Sequence, residues 1–139
     1  MSSGNIQYAA LPYRKRADGF DVLLITSRDT GRWIIPKGWP IVGLSPSQTA
    51  AREALEEAGI TGRIGSERIG TYHYDKGRAD DTSTRCEVDV FALEVVDQLD
   101  SWPEQHQRRR EWLGLEEASE RVAETELRAL IRNLAARLI

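Results

Sequence analysis

The sequence predicts a single α/β domain on three observations. Apolar runs of strand length and β-branched composition recur along the chain, the densest being DVLLITS at 21–27. A segment of helical period with a cap signal at each end interrupts them at 46–58. A second helical pattern closes the chain, where Leu127, Leu130, Ile131, Leu134 and Leu138 form an apolar stripe.

Taken in order, residues around Ile6 to Tyr13 and Asp21 to Ser27 read as strands, with Ala17 to Gly19 turning between them. Trp33 to Ile35 is a short strand that Pro36 ends. The first helix has Ser45 as its cap and Pro46 at the first helical position, where a missing N–H is harmless. Gln48 reaches back as in a capping box, and Gly59 tolerates the left-handed conformation that ends many helices. Strands are expected from Arg63 to Tyr74 and from Arg85 to Val95, joined by a polar, mobile loop from Asp75 to Thr84. A strand near Glu111 to Leu115 leads into Glu116 to Val122 and then the final helix, whose stripe has the look of core packing rather than of a membrane or partner surface.

The first helix carries the chemistry. At about 100° per residue, Ala50, Ala51, Ala54, Leu55 and Ala58 fall on one side, while Glu53, Glu56 and Glu57 cluster nearly opposite and are expected to face outward. Like charges at these spacings repel by ~0.2–0.5 kcal/mol a pair. The helix dipole disfavours Glu56 and Glu57 in the last turn by roughly 0.3–1 kcal/mol each. A hard cation such as Mg²⁺ reverses both penalties, because it takes oxygen ligands and shares carboxylates with substrate phosphates. Three glutamates alone fit a solvated acidic face; it is the wider spacing that selects the metal site.

That spacing, from Gly38 through Arg52, Glu53, Leu55, Glu56, Glu57 and Gly59 to Ile60, resembles the Nudix box, G-x5-E-x7-R-E-U-x-E-E-x-G-U with U aliphatic. Leu44 is the one fixed position that departs from it. The resemblance implies that the glutamate usual there supports the box arginine, so Arg52 needs another partner, with Glu56 one turn on as a candidate. RWIIPKGWP at 32–40, YRKRAD at 13–18 and RRREWLGLEEA at 108–118 resemble the diphosphoinositol polyphosphate phosphohydrolase branch of the Nudix hydrolases. The family's fold, an α/β/α sandwich around a mixed sheet, is compatible with the order of elements above. Animal members of the branch carry a glycine triplet before the box, where this chain has Lys37, Gly38 and Trp39.

The resemblance implies Mg²⁺-dependent cleavage of a diphosphate bond by a metal-activated water, with Mn²⁺ as an alternative ion. The implied metal ligands are Glu53, Glu56 and Glu57 with the backbone carbonyl of Gly38, and Arg52 completes the catalytic set. The proton acceptor is Glu53 or, behind it, Glu87, Glu104 or His73, although a structural role suits His73 better. Candidate phosphate contacts are Arg14 and Arg16, two apart on one strand and so on one face, together with Arg28, Lys37, Arg85 and Arg109. Each is also compatible with ordinary surface charge, and Arg108 and Arg110 more so. Trp33 and Trp112 are expected in the core; Trp39 is open to stacking on a base.

Composition bounds the reading. With 139 residues, 40% hydrophobic and 29% charged, the chain suits one domain over 1–139 with a sizeable core and about five flexible N-terminal residues. The single cysteine, Cys86, forms no internal disulfide. The stretch MSSGNIQYAALPYRKR lacks the apolar core of a signal peptide, and no run approaches the ~20 apolar residues of a membrane span, so a cytoplasmic setting is expected. A net charge of −3 argues against non-specific nucleic-acid binding. The partner implied is a small polyphosphate, met by a monomer or homodimer. Diphosphoinositol polyphosphates and dinucleoside polyphosphates lead as substrates. A nucleoside triphosphate or nucleotide sugar comes next, then an RNA 5′ end, and a ligand-binding regulator without catalysis stands as the reading from another class.

Overall fold

The computed structural model describes residues 5–77 and 83–138. Of the N-terminal residues expected to be flexible, 1–4 lie outside the described residues. Strands β1 (Ile6–Arg16) and β2 (Gly19–Thr26) form a hairpin, followed by β3 (Trp33–Ile34) and the two-residue β4 (Lys37–Gly38). Helix α1 (Pro46–Ala58) leads to β5 (Ile60–Ile64), β6 (Gly70–Gly77), β7 (Ser83–Gln98) and β8 (Arg110–Gly114), and the chain ends in α2 (Leu115–Arg121), α3 (Thr125–Arg132) and α4 (Leu134–Arg137).

One mixed sheet runs β3-β2-β1-β7-β5, with β4 on β1, β6 on β7 and β8 on β2. The β1–β7 pairing is parallel and the other strand pairs are antiparallel. Strand alternation sends side chains to two cores. Ala9, Leu11, Val22, Leu24, Val88 and Val90 meet Ala118, Leu127, Leu130, Ile131 and Leu134 of the C-terminal helices. Ala10, Leu23, Ile25, Phe91 and Leu93 meet Ala50, Ala54 and Ala58 of α1 on the other face. Covering both faces is why the central strands read as unbroken apolar runs, and the small α1 residues let that helix lie close to the sheet. The layers are those of an α/β/α sandwich.

Three expectations change. The strand foreseen from Arg63 to Tyr74 is β5 and β6, which pair with successive stretches of β7. Between them residues 65–69 stand opposite only Phe91 and Ala92, because Ile64 pairs with Leu93 and Gly70 with Val90. The amides of Gly65 and Ile69 donate to the carbonyls of Ala92 and Val90, so the excess residues are tied as a bulge. Both ends of the loop foreseen from Asp75 to Thr84 are paired strand: β6 continues to Gly77 and β7 begins at Ser83, with Asp75 opposite Arg85. Polarity misled there because strands projecting into solvent need no apolar face; residues 78–82 of that loop lie outside the described residues. Three further elements, β4, the separate α2 and the four-residue α4, carried no period long enough to read, so the final helix expected to run through Leu138 is instead α3 and α4, parted at Asn133.

Candidate active site

The caps of α1 form as the sequence predicts. Ser45 Oγ accepts from the Gln48 amide and Gln48 answers to the Ser45 amide, while Gly59 takes φ +68°. The C-terminal end is the informative one, because its orphan carbonyls dock the segment between β7 and β8. The Glu104 amide donates to Glu56 O, the Leu99 amide to Gly59 O, the Trp102 indole N–H to Glu57 O, and Arg110 Nη1 to Ala58 O at 2.8 Å. Arg110 also donates to Leu99 O and stacks 3.7 Å from the Trp102 ring centre, so it is a cationic clasp where the helix dipole is negative.

This docking builds a pocket of about 490 Å³ whose lining includes Glu53, Glu57, Glu104, Arg28, Lys37, Lys76 and Arg108. Glu57 is buried rather than outward-facing, at 8% exposure. The reason is that the flank of α1 bearing Glu53 and Glu57 lies against β4 and the 99–109 segment. The Lys37 amide donates to Glu57 Oε1 at 3.2 Å, and Arg108 Nη2 lies 3.4 Å from Glu57 Oε2. Gly38 packs so close to Glu53 that a Cβ there would collide with the carboxylate. Burial, then the charges of Glu57, Glu56 and Glu104, push the Glu53 carboxyl up to about 8. Burial also raises Glu57, against the opposing pull of Arg108 and the Lys37 amide, and lowers the Lys37 ammonium, whose Nζ sits 4.8 Å from the Tyr74 ring centre.

Such a concentration of negative charge suits a cation, which would take the place of the proton on Glu53. Among the described residues, no three acidic, histidine or cysteine side chains converge closely enough to hold a metal ion as they stand. Glu53, Glu57 and Glu104 are the carboxylates that line the pocket; Glu56, about 60° round the helix from Glu53, acts on it by charge from beside it.

The expected phosphate contacts divide. Arg28 and Lys37 line the pocket, Arg28 also donating to Gln107 Oε1 at 3.1 Å. Arg14 and Arg16 share a face, as expected, but their common partner is Asp21, at 3.0 and 2.9 Å, outside this pocket. Arg85 pairs across the hairpin with Asp75 at 3.5 Å. Arg109 is exposed and lies over Trp33 at 5.6 Å from the ring centre, whereas Arg108 is in the site. The neighbours part because successive side chains of an extended segment point opposite ways. The sign of Arg108's role was the spacing of Glu104 and Arg108, whose Oε1 and Nε meet at 2.7 Å.

Other expectations are corrected as well. Among the described residues Arg52 has no ion-pair partner, and Glu56 does not supply one. Arg52 and Leu44 line a separate, more apolar cleft of about 340 Å³ with Ala51, Leu55, Ile64 and Leu93. Leu44 therefore departs from the box pattern away from the carboxylates. Glu87 and His73 are outside the pocket too, because His73 lies between Glu126, at 3.1 Å, and Glu87, at 3.7 Å. Trp33 packs against the core as foreseen, and Trp112 is partly buried against the α1 side, its indole donating to Gln98.

This combination of sandwich, box helix and carboxylate pocket defines a class, and the chain belongs to the Nudix family: the NUDIX domain model matches residues 7–136. Among curated relatives, it is 36% identical over 118 residues to Nudix hydrolase 17, mitochondrial, of Arabidopsis thaliana, an alignment covering 79% of this chain and 62% of that protein. It is 32% identical over 112 residues to mouse (Mus musculus) diphosphoinositol polyphosphate phosphohydrolase 3-alpha, covering 79% and 64%. The chain thus spans from 46% to 64% of the length of these and other similar curated relatives. Among solved structures, a binary complex of the C. elegans Ap4A hydrolase matches at a TM-score of 0.71 and 27% identity, over 96% of each chain.

Proposed function

We propose that the protein hydrolyses a phosphoanhydride bond in a small polyphosphate, with Mg²⁺ or Mn²⁺ bound at Glu53, Glu57 and Glu104, Glu56 beside them. The observation that carries this is that those three carboxylates line one pocket of about 490 Å³ together with Lys37, Lys76, Arg28 and Arg108, within the roughly 300–1,000 Å³ of small-molecule sites; the glutamates would have to draw closer together around the ion. The ion, when bound, neutralises charge on the diphosphate and lowers the pKa of water. Arg108 holds Glu57 and Glu104 in place through its two ion pairs. Lys37 and Lys76 have no carboxylate ion-pair partner among the described residues, so both are available to phosphate oxygens. Glu53 or Glu104 takes the proton of the attacking water; the positions of Glu87 and His73 argue against them.

Dinucleoside polyphosphates are favoured over diphosphoinositol polyphosphates, because Arg14, Arg16, Arg85 and Arg109 are spent elsewhere and the pocket keeps too few free cations for a ring fully decorated with phosphate. The C. elegans Ap4A hydrolase, similar over almost its whole length, agrees with that choice. The mouse relative keeps the inositol compounds as a second reading. The place of Leu44, away from the carboxylates, counts against a regulator without catalysis.

Phosphate and nucleotide release tests the reading on diadenosine polyphosphates, a diphosphoinositol polyphosphate, ADP-ribose, nucleoside triphosphates and a 5′-triphosphorylated RNA. Turnover of the diadenosine compounds that needs added Mg²⁺ or Mn²⁺ is the expected result. Silence across the panel with either ion would return the protein to the binding-module class.

A further inference from the structure

The four tryptophans are not equivalent. Trp33 lies beneath the guanidinium groups of Arg109 and Arg121, each 5.6 Å from its ring centre. Trp102 donates to Glu57 O and carries Arg110 at 3.7 Å. Trp112 donates to Gln98 Oε1 and carries Arg14 at 4.3 Å. Trp39 alone has neither a hydrogen-bond nor a ring partner among the described residues, and it is 40% exposed. A large amphipathic ring left open in this way stands out where each of the other three indoles carries an arginine over its ring.

Its position gives the exposure a use. Trp39 follows Gly38 directly and lines the carboxylate pocket. It also lines a second hollow of about 170 Å³, completed by Asn5, Lys76, Gly77 and Thr84. Trp39 and Lys76 are common to both, so they form the wall between a charged compartment and a smaller one beside it. The smaller one is too confined for a whole ligand and suits one planar group projecting from the larger. A phosphate chain on the carboxylate side, held in part by Lys76, would direct the group attached to it toward the open indole.

We infer that Trp39 is a stacking platform for a nucleobase of the substrate, which makes the substrate class a nucleoside or dinucleoside polyphosphate; this rests on the function proposed above. Every base has a π-face, so stacking on indole tolerates different bases and would select for the presence of a base rather than its identity. An inositol ring, which is saturated, cannot make the same contact.

The test compares wild type, Trp39→Ala and Trp39→Phe on diadenosine tetraphosphate and on tripolyphosphate, which has the anhydride but no base, with Mg²⁺ present. Thermal melts verify that each variant is folded. In Trp39→Ala the KM for diadenosine tetraphosphate should rise roughly ten-fold more than that for tripolyphosphate, and Trp39→Phe should recover most of the difference. In parallel, AMP should quench the tryptophan emission of wild type but not that of Trp39→Phe, where Trp33, Trp102 and Trp112 remain. Equal effects on both substrates, quenching of equal depth in Trp39→Phe, or wild-type turnover of tripolyphosphate alone would each overturn the inference. If wild type hydrolyses neither compound, the proposed function fails, and the AMP titration still decides whether Trp39 receives a base.

Discussion

Arg108 and Glu57 meet at 3.4 Å with only 7% and 10% of their side chains exposed, so the centre of the carboxylate pocket is a buried ion pair. Removing one partner of such a pair costs about 3–5 kcal/mol, and protonation of Glu57, whose pKa burial already raises, moves the cost toward the lower end. Arg108→Ala should therefore lower the urea-unfolding free energy by about 3 kcal/mol, with Glu57→Gln in the same chain recovering part of it. A loss under roughly 0.5 kcal/mol would mean that the pair behaves like a surface contact.

Glu53→Gln should separate folding from metal binding. The Glu53 carboxyl, pushed up to about 8, is largely neutral at pH 7 in the ion-free protein, and Gln imitates that form. The ion-free melting point should stay within a few degrees of wild type or rise. The increase that Mg²⁺ or Mn²⁺ produces in wild type should vanish, and turnover should fall at least about 100-fold. A variant that keeps its metal-dependent melting shift would remove Glu53 from the ion site.

Gly38→Ala places a methyl group against the Glu53 carboxylate. The backbone there does not need left-handed angles, so the penalty is a displaced carboxylate rather than strain. Circular dichroism should be unchanged while kcat drops by an order of magnitude or more, as misplacement of about 1 Å can cost 10²-fold. Full activity would mean that Glu53 moves aside freely and that its position is not critical.

Arg14→Ala combined with Arg16→Ala should leave KM within about two-fold for both a diphosphoinositol polyphosphate and diadenosine tetraphosphate, because both side chains are engaged with Asp21 outside the pocket. Lys37→Met, by contrast, should raise KM for either compound. A selective rise for the inositol compound in the arginine variant would restore those residues to substrate recognition.

His73 and Glu126 tie β6 to α3, and His73 holds the Glu126 carboxyl below its ordinary value by hydrogen bonding. A depressed carboxylate pKa gives stability that is present above the unfolded value, near 4.5, and lost as pH falls through the folded one. Glu126→Gln should thus be slightly destabilising at pH 6–7, and the gap to wild type should narrow as the pH falls below 4.5 and close once it has passed the folded-state value. A gap that persists at low pH would assign the effect to packing instead of charge.

Much of the site could be read from local pattern. The caps of α1, the left-handed Gly59 and the placement of Glu53, Glu56 and Glu57 within one turn follow from residues a few positions apart, where helical geometry is decisive. The phosphate contacts were less legible, because an arginine has no local sign of whether its partner is Asp21, a neighbouring tryptophan or a substrate. Glu104 was readable only as one candidate among several, since its position depends on a hydrogen bond from its backbone N–H to Glu56 O across the fold.

By itself, then, the sequence determined the alternation of strands and helices, the acidic helix and the spacing of its carboxylates, since these depend on period, capping and charge within short windows. Tertiary structure decided that Glu57 is covered, that Arg108 and not Arg109 enters the pocket, and that Trp39 is the one tryptophan without a hydrogen-bond or ring partner among the described residues. The first two outcomes depend on the stretch from Leu99 to Arg110 supplying donors to the carbonyls at the end of α1, and such long-range satisfaction of backbone groups leaves no periodic trace in the chain.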